Sequence, residues 1–366
     1  MTIFSRRNFL KTSIVGGVAA TCIKPYDTLA AFGRQDQFQA RVALASGDHR
    51  ADMAFRALKP FSAEITKAIG NRRVILKPNN VNIDVPLAST HVDTLEGILE
   101  FLKSIGKTEN AVIAESAANG PTFDGFKNFG YFRLADKFGI KLIDLDQESF
   151  DVVYVFDEKD FKPHAIRISH LMLDPDSFIV SVARMKTHDR VLATLSLKNI
   201  VFGSPIKDTG FTFSRSRKPG TTSDKPIMHG SGFRGINYNL YVMSRQLHPH
   251  LAVIDGFEGM EGNGPNDGTP VDHRICVVSM DWLAADRIGI ELMGIDLANV
   301  GYMNFCSQTG LGIADMSKIQ VIGESVNNHK KVYKLSDNFK DQLIWKNPVS
   351  QNASETPKSN FRLSYT

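Results

Sequence analysis

The sequence predicts an α/β fold: a mostly parallel sheet covered by helices on both faces, built as a single large domain. Three observations predict it. Short, unbroken apolar runs recur along the chain, the pattern of strands buried on both faces. They alternate with segments of helical period. No repeat and no Pro/Ser linker interrupts residues 40–325, and alternation of this kind builds a covered parallel sheet. Of the 366 residues, 42% are apolar and 22% charged, an ordinary globular composition that excludes wholesale disorder.

The first strand is expected over residues 41–45, followed by a helix over 51–69. A second strand over 73–77 is stopped by Pro78 and two asparagines. Residues 90–105 form an amphipathic helix: Leu95, Ile98, Leu99 and Leu102 share one face, and Gly106 ends it. A buried strand at 111–114 leads to a helix over 126–138, closed by Gly139, and a strand over 141–145. Runs 152–156 and 165–168 read as an added hairpin, and 178–182 as another buried strand. Helices over 190–201, 236–247 and 281–293 then alternate with strands at 251–254, 275–278 and 318–322. Residues 330–366 turn polar and read as a loose C-terminal tail.

Residues 1–31 read as an address rather than as part of the domain at 40–325. Ser5-Arg6-Arg7-Asn8-Phe9-Leu10-Lys11 precedes a mild apolar run, the pattern of a twin-arginine signal peptide. The expected partner is the twin-arginine translocase, with cleavage near Ala31 and export to the periplasm. A lipid anchor on Cys22 is the weaker alternative, because Thr21 suits that chemistry poorly. The apolar run is far short of the ~20 residues needed to cross a bilayer, and no later stretch is longer, so no stable membrane span is expected.

The chain carries 43 Lys and Arg against 39 Asp and Glu, but four of those bases and one acid lie in residues 1–31. The remainder is balanced, which argues against nucleic acid as a partner. Three cysteines exclude a disulfide scaffold and a self-contained iron–sulfur cluster with four thiolate ligands. Cys276 and Cys306 sit in apolar surroundings and read as buried free thiols.

Polar residues gather where strands end, the edge at which open α/β sheets bind ligands. Lys77 and Asn79 follow the second strand, and Glu115 ends the third. Lys186 and His188 lie beyond the 178–182 strand, with Lys198 and Asn199 in the helix after them. Asp255 follows the 251–254 strand and opens a glycine-rich loop over 256–268 that contains Glu261 and Asn263. A long loop over 206–232 reads as a lid carrying His229, since loops of that length in compact domains tend to be functional. Lysines with a histidine suit a small anion and acid–base work. Lys186, His188, Lys198 and Asp255 are therefore the catalytic candidates. Lys77, Asn79, Glu115, Asn199 and Asn263 are the ligand-binding candidates. A divalent metal held by His188, His229 and Glu261 is a further expectation, three protein ligands leaving an open position.

The ordered set Lys77-Pro78-Asn79, Lys186-Thr187-His188, Lys198-Asn199 with Gly203, His229, and Asp255-Gly256 with Met260-Glu261-Gly262-Asn263-Gly264-Pro265 resembles the DUF362 family. The run Asp281…Ala284-Ala285-Asp286…Met293-Gly294 extends the resemblance over about residues 40–325. It implies a shared α/β pocket built from these polar motifs rather than a particular reaction. Some members of the family add a cysteine-rich ferredoxin-like module, and this sequence has none. Two functions are then open: an exported enzyme acting on a small anionic ligand in a Lys/His/acid pocket, or a non-catalytic ligand-binding or redox-partner subunit in the periplasm.

Overall fold

Valine, isoleucine and leucine dominate the apolar runs, and β-branched side chains fit a sheet packed on both faces. The computed structural model describes residues 38–213 and 217–347. The expected signal peptide, Cys22 and the end of the polar tail lie outside the described residues. Among the described residues there are eleven strands: β1 Ala40–Ser46, β2 Arg73–Lys77, β3 Ala111–Glu115, β4 Lys141–Asp144, β5 Phe150–Phe156, β6 Pro163–Ser169, β7 Ser177–His188, β8 Leu192–Thr194, β9 Leu251–Asn263, β10 Asp267–Ser279 and β11 Ile319–Gly323. Nine of them form one sheet in the order β11-β1-β10-β9-β7-β2-β3-β4, with β8 paired to β7. Strands β9, β7, β2, β3 and β4 run parallel to one another, and β10 is antiparallel to both β9 and β1. Strands β5 and β6 make the separate hairpin the sequence predicts.

Strand alternation sends successive side chains to opposite faces, and β2 shows it. Val74 and Leu76 pack with Leu95, Ile98 and Leu99 of the helix Val92–Ser104 and with Met53 of the helix Arg50–Leu58. Ile75 joins the opposite core with Leu197 and Ile200 of the helix Ser196–Gly203, Leu240 of Phe233–Met243 and Ile288 of Trp282–Leu292. Helices thus cover both faces, as the sequence predicts. The chain passes from β2 through β3 to β4 along one side of β2, then returns to place β7 on the other. The connections before β4 use the first helical face, and the β7–β9 crossover uses the second. The strand order therefore reverses between β2 and β7, where an open α/β sheet leaves a crevice.

Four local expectations are corrected. The helix expected over 51–69 is divided at Lys59–Phe61, because Pro60 has no N–H to continue the first helix. The helix over 126–138 is two pieces, Thr122–Asn128 and Phe132–Phe138. Strand β7 is twelve residues long and contains Lys186 and His188; the segment read as a helix from 190 is first β8, and the helix begins only at Ser196. The glycine-rich loop is most of a β9–β10 ribbon, paired from Asp267↔Asn263 to Ser279↔Ala252. Glycine occurs within that ribbon where neighbours crowd it: a Cβ on Gly259 would lie 2.2 Å from the Tyr333 hydroxyl oxygen. Tyr333, Ser336 and Gln342 are buried, so the polar segment after 330 is docked as far as it is described. Cys276 and Cys306 are buried free thiols, as expected.

Candidate functional site

Lys77 is the last residue of β2 and lies opposite Ser181 of β7 in the parallel register. Both therefore stand at the reversal point. Residues Lys186 and His188 extend β7 past the end of β2. The helix Ser196–Gly203 starts beside them because Asp286 holds its first turn. The Asp286 carboxylate accepts from the Ser196 N–H at 2.7 Å, the Ser196 hydroxyl at 2.5 Å and the Leu197 N–H at 3.2 Å. An acid from a neighbouring helix thereby satisfies N–H groups that the helix itself leaves open. Burial pushes the Asp286 carboxyl up to about 7. With the helix starting there, Lys198 and Asn199 fall in its first turn and reach the crevice.

A continuous hydrogen-bonded network joins these elements. Lys77 Nζ donates to Glu115 Oε1 at 2.6 Å and to the Pro78 carbonyl at 3.0 Å. The Asn80 and Ser116 N–H groups donate to the same carboxylate at 3.0 and 2.8 Å. Burial pushes Lys77 down and Glu115 up, while the pair's mutual attraction opposes both shifts. Asn199 Nδ2 donates to the Lys77 carbonyl at 3.1 Å and to Ser181 Oγ at 3.0 Å. Asn79 Nδ2 donates to Asn199 Oδ1 at 3.0 Å, and Asn79 Oδ1 accepts from Lys186 Nζ at 2.6 Å. Lys186 also donates to the Ala88 carbonyl at 2.5 Å. Among the described residues it has no carboxylate partner, and burial with the nearby Lys198 and Arg184 cations pushes it well below the usual lysine range.

Lys198 is held differently. Its ammonium lies 4.8 Å from the Phe202 ring centroid, and no acceptor among the described residues bonds it. Burial lowers Lys198 to about 8. His229 packs edge-on to the same Phe202 ring at 4.6 Å and donates from Nδ1 to the Lys225 carbonyl at 2.7 Å. That bond fixes the tautomer and leaves Nε2 as an acceptor without a bonded partner among the described residues. Burial and the Lys198 charge hold His229 at about 3. His188 Nδ1 accepts from the Arg190 N–H at 3.0 Å. Asp189 stands 3.2 Å from that same nitrogen, but burial and Lys198 hold His188 well below the usual imidazole range, so the contact is not an ion pair.

The loop expected as a lid brings His229 onto Phe202 of the helix Ser196–Gly203. Arg167 of β6 ties two points of the loop over 206–232, Asp208 and Asp224. That guanidinium donates to both Asp224 oxygens at 2.9 Å and to Asp208 at 2.7 Å. The loop also supplies two lysines that the sequence reading missed. Lys207 bonds the Asp146 carboxylate, and Lys225 donates to the Gly203 carbonyl at 3.1 Å. Burial lowers Lys225 to about 7, against the pull of Asp146 and Glu115. Asp146 was legible, since it follows the 141–145 strand as the other site residues follow theirs. Lys207 and Lys225 carried no such signal.

Three expected site residues are elsewhere. Asp255 alternates with Ile254 and so points to the opposite face, where Thr94 Oγ1 donates to it at 2.8 Å and Arg50 pairs with it at 3.4 Å. Glu261 accepts from the Lys334 N–H at 2.8 Å, and Asn263 donates to Asp337 at 2.8 Å. Both lie on the outer ribbon and fasten the last described segment. Glu261 is thus spent on Lys334 and does not join His188 and His229. Among the described residues no group of three His, Cys, Asp or Glu side chains is arranged to hold a metal ion.

No helix among the described residues is long and apolar enough to cross a membrane. The chain is 22% identical over 241 residues to a thylakoid-associated protein of Synechocystis sp., an alignment covering 65% of this chain and 68% of that protein. The family that matches is described as a domain of unknown function, DUF362, over residues 74–291. That span is more than half the chain and runs from β2 through Lys77, Lys186, Lys198 and His229 to Asp286; the chain belongs to the DUF362 family.

Proposed function

We propose that this chain is an enzyme that binds a small anionic substrate in the crevice between β2 and β7. One observation carries the reading. Lys77, Lys186, Lys198, Lys207 and Lys225 are each no more than 7% exposed, yet among the described residues only Glu115 and Asp146 pair with them, at Lys77 and Lys207. Among the described residues Lys186, Lys198 and Lys225 make no ion pair, although Asp189 pulls on Lys198 and Asp146 and Glu115 on Lys225 from farther away. Burying uncompensated cations is costly, and an anion entering beside Lys198 and Lys225 supplies the missing charge. His188 and His229, both held neutral, stand next to that position as proton donor and acceptor. Asn79 accepts from the Lys186 amine, and Asn199 holds Asn79 in place from behind.

The test is calorimetric titration of sulfate, phosphate and pyruvate into the full chain and into Lys198→Met. Micromolar-to-millimolar binding by the wild type, weakened at least about tenfold in the variant, supports the proposal. Equal binding by both, or no binding of any of the three, overturns it. A ligand-holding subunit without turnover is the second reading, favoured by Lys186, whose amine is committed to Asn79 and Ala88. Export through the twin-arginine route is supported by Arg6-Arg7 with Phe9, Leu10 and Lys11. Fractionation of cells expressing the Arg6→Lys, Arg7→Lys double variant tests it: retention in the cytoplasm is expected, and unchanged periplasmic yield counts against it.

A further inference from the structure

Resting on that anion-binding reading, we propose that Lys198 is a nucleophilic amine that condenses with the carbonyl carbon of a small 2-oxo acid, with His229 Nε2 as the proton acceptor.

The five buried lysines are not equivalent. Lys77 and Lys207 are bound to carboxylates, Lys186 donates to Asn79 and Ala88, and Lys225 donates to the Gly203 carbonyl. Lys198 alone among them bonds no acceptor of the described residues; its neighbour is the Phe202 ring. An amine nucleophile must have its lone pair free, and desolvation beside other cations is how proteins free it. Lys198 has the free lone pair and the desolvation: burial lowers it to about 8 against the pull of Asp189, which gives a share of free amine near neutral pH. His229 contacts the same Phe202 ring, and its Nε2 has no bonded partner among the described residues.

A second polar atom awaits a ligand. Thr194 is 1% exposed, and its hydroxyl has no hydrogen-bond partner among the described residues. It sits opposite Lys186 in the antiparallel β7–β8 register, so the two side chains are neighbours on one face. A buried, unpartnered hydroxyl is costly and suits an oxygen of a bound molecule. An anion that offers a carboxylate and a carbonyl together fits a crevice with unpaired positive charge, a spare hydroxyl and one free amine.

The atoms balance without a co-reactant. The Lys198 lone pair attacks the carbonyl carbon, forming C–N while the C=O π pair moves to oxygen. His229 Nε2 takes one proton from nitrogen and delivers it to the alkoxide, giving the neutral carbinolamine; it then takes the second nitrogen proton and delivers it to the carbinolamine hydroxyl. That hydroxyl leaves as water and C=N forms.

The experiment treats the full chain with pyruvate, and in parallel with 2-oxoglutarate, followed by sodium borohydride. Intact mass and peptide mapping read the product. The expected result is a gain of one oxo acid less one oxygen atom, mapped to Lys198. The adduct is absent from Lys198→Arg, whose melting transition shows that it is folded. In His229→Gln the rate of adduct formation falls roughly 10²-fold. Calorimetric binding of sulfate or pyruvate with no reducible adduct overturns the nucleophile and leaves the anion reading standing. Adducts spread equally over surface lysines, or persisting in Lys198→Arg, also overturn it. Absence of any anion binding removes both.

Discussion

Gly203 lies against Lys77: a Cβ at this position would sit 2.2 Å from the ammonium nitrogen and 2.4 Å from the carbon beside it. Lys77 is fully buried and bonded to Glu115, so it has no room to retreat. Alanine in a helix is ordinarily better than glycine by up to about 1 kcal/mol. Here the sign reverses. Gly203→Ala is expected to lose about 1–3 kcal/mol of unfolding free energy, read by denaturant titration. Lys77→Met, which leaves the Glu115 carboxylate buried without its cation, should lose about 3–5 kcal/mol. A neutral or stabilised Gly203→Ala protein would contradict the packing.

Anion binding should weaken as pH rises. Lys198 at about 8 and Lys225 at about 7 are partly deprotonated in the empty site near neutrality. A bound anion favours their charged forms, so binding takes up protons. Sulfate is the suitable probe because it does not titrate here. Its affinity should fall as pH passes the two values, approaching about tenfold per unit for each linked proton. Calorimetry in buffers of different ionisation enthalpy measures the uptake, and a flat profile would rule the linkage out.

The two site histidines make the protein sensitive to acid. The native value of His229, about 3, lies below the ordinary value near 6.5 of an unfolded chain. Its folded value is depressed, so the stability it contributes is complete above that unfolded value. It is lost as pH falls from there toward the native value, at up to about 1.4 kcal/mol per unit. His188 acts in the same direction. In His229→Gln the fall of melting temperature between roughly pH 6.5 and 4 should be shallower than in the wild type. Parallel curves would show that His229 is not buried neutral.

Asn199 bonds the Lys77 carbonyl, Ser181 and Asn79 at once. Asn199→Leu leaves Asn79 and the Lys77 carbonyl without their partner. A loss of about 1–3 kcal/mol for each uncompensated group is expected, with weaker sulfate binding because Asn79 no longer orients Lys186. Calorimetry and denaturant titration read both effects, and unchanged affinity would remove Asn79 and Asn199 from the site.

The layered fold and the strand-end lysines were legible because buried parallel strands leave unbroken apolar runs, and a charge at the end of such a run stands out. Lys77, Asn79, Glu115, Lys186 and Asn199 share one hydrogen-bonded network, and His188, Lys198 and His229 lie within electrostatic reach of one another beside it. Asp255 misled because alternation along β9 turns it to the other face, and the sequence does not say which face is which. Glu261 and Asn263 misled because glycines required by crowding look the same on paper as glycines required by a loop. Asp286 was noticed within a motif, but its task of starting the lysine-bearing helix needs a contact 90 residues away, which no local pattern records.

Gln342 closes the assembly. Its side chain donates to the His188 carbonyl at 3.1 Å and accepts from the Leu192 N–H at 2.7 Å. Residues Glu261 and Asn263 grip the neighbouring backbone of the same segment. The turn between β7 and β8 thus waits on a residue made about 150 positions later, while Lys77 belongs to the first third of the chain. During synthesis the crevice stays unfinished until nearly all the described chain has left the ribosome, and such distant closures fold slowly. A ligand that needs the complete site will then be captured late, only after Gln342 has been made and docked.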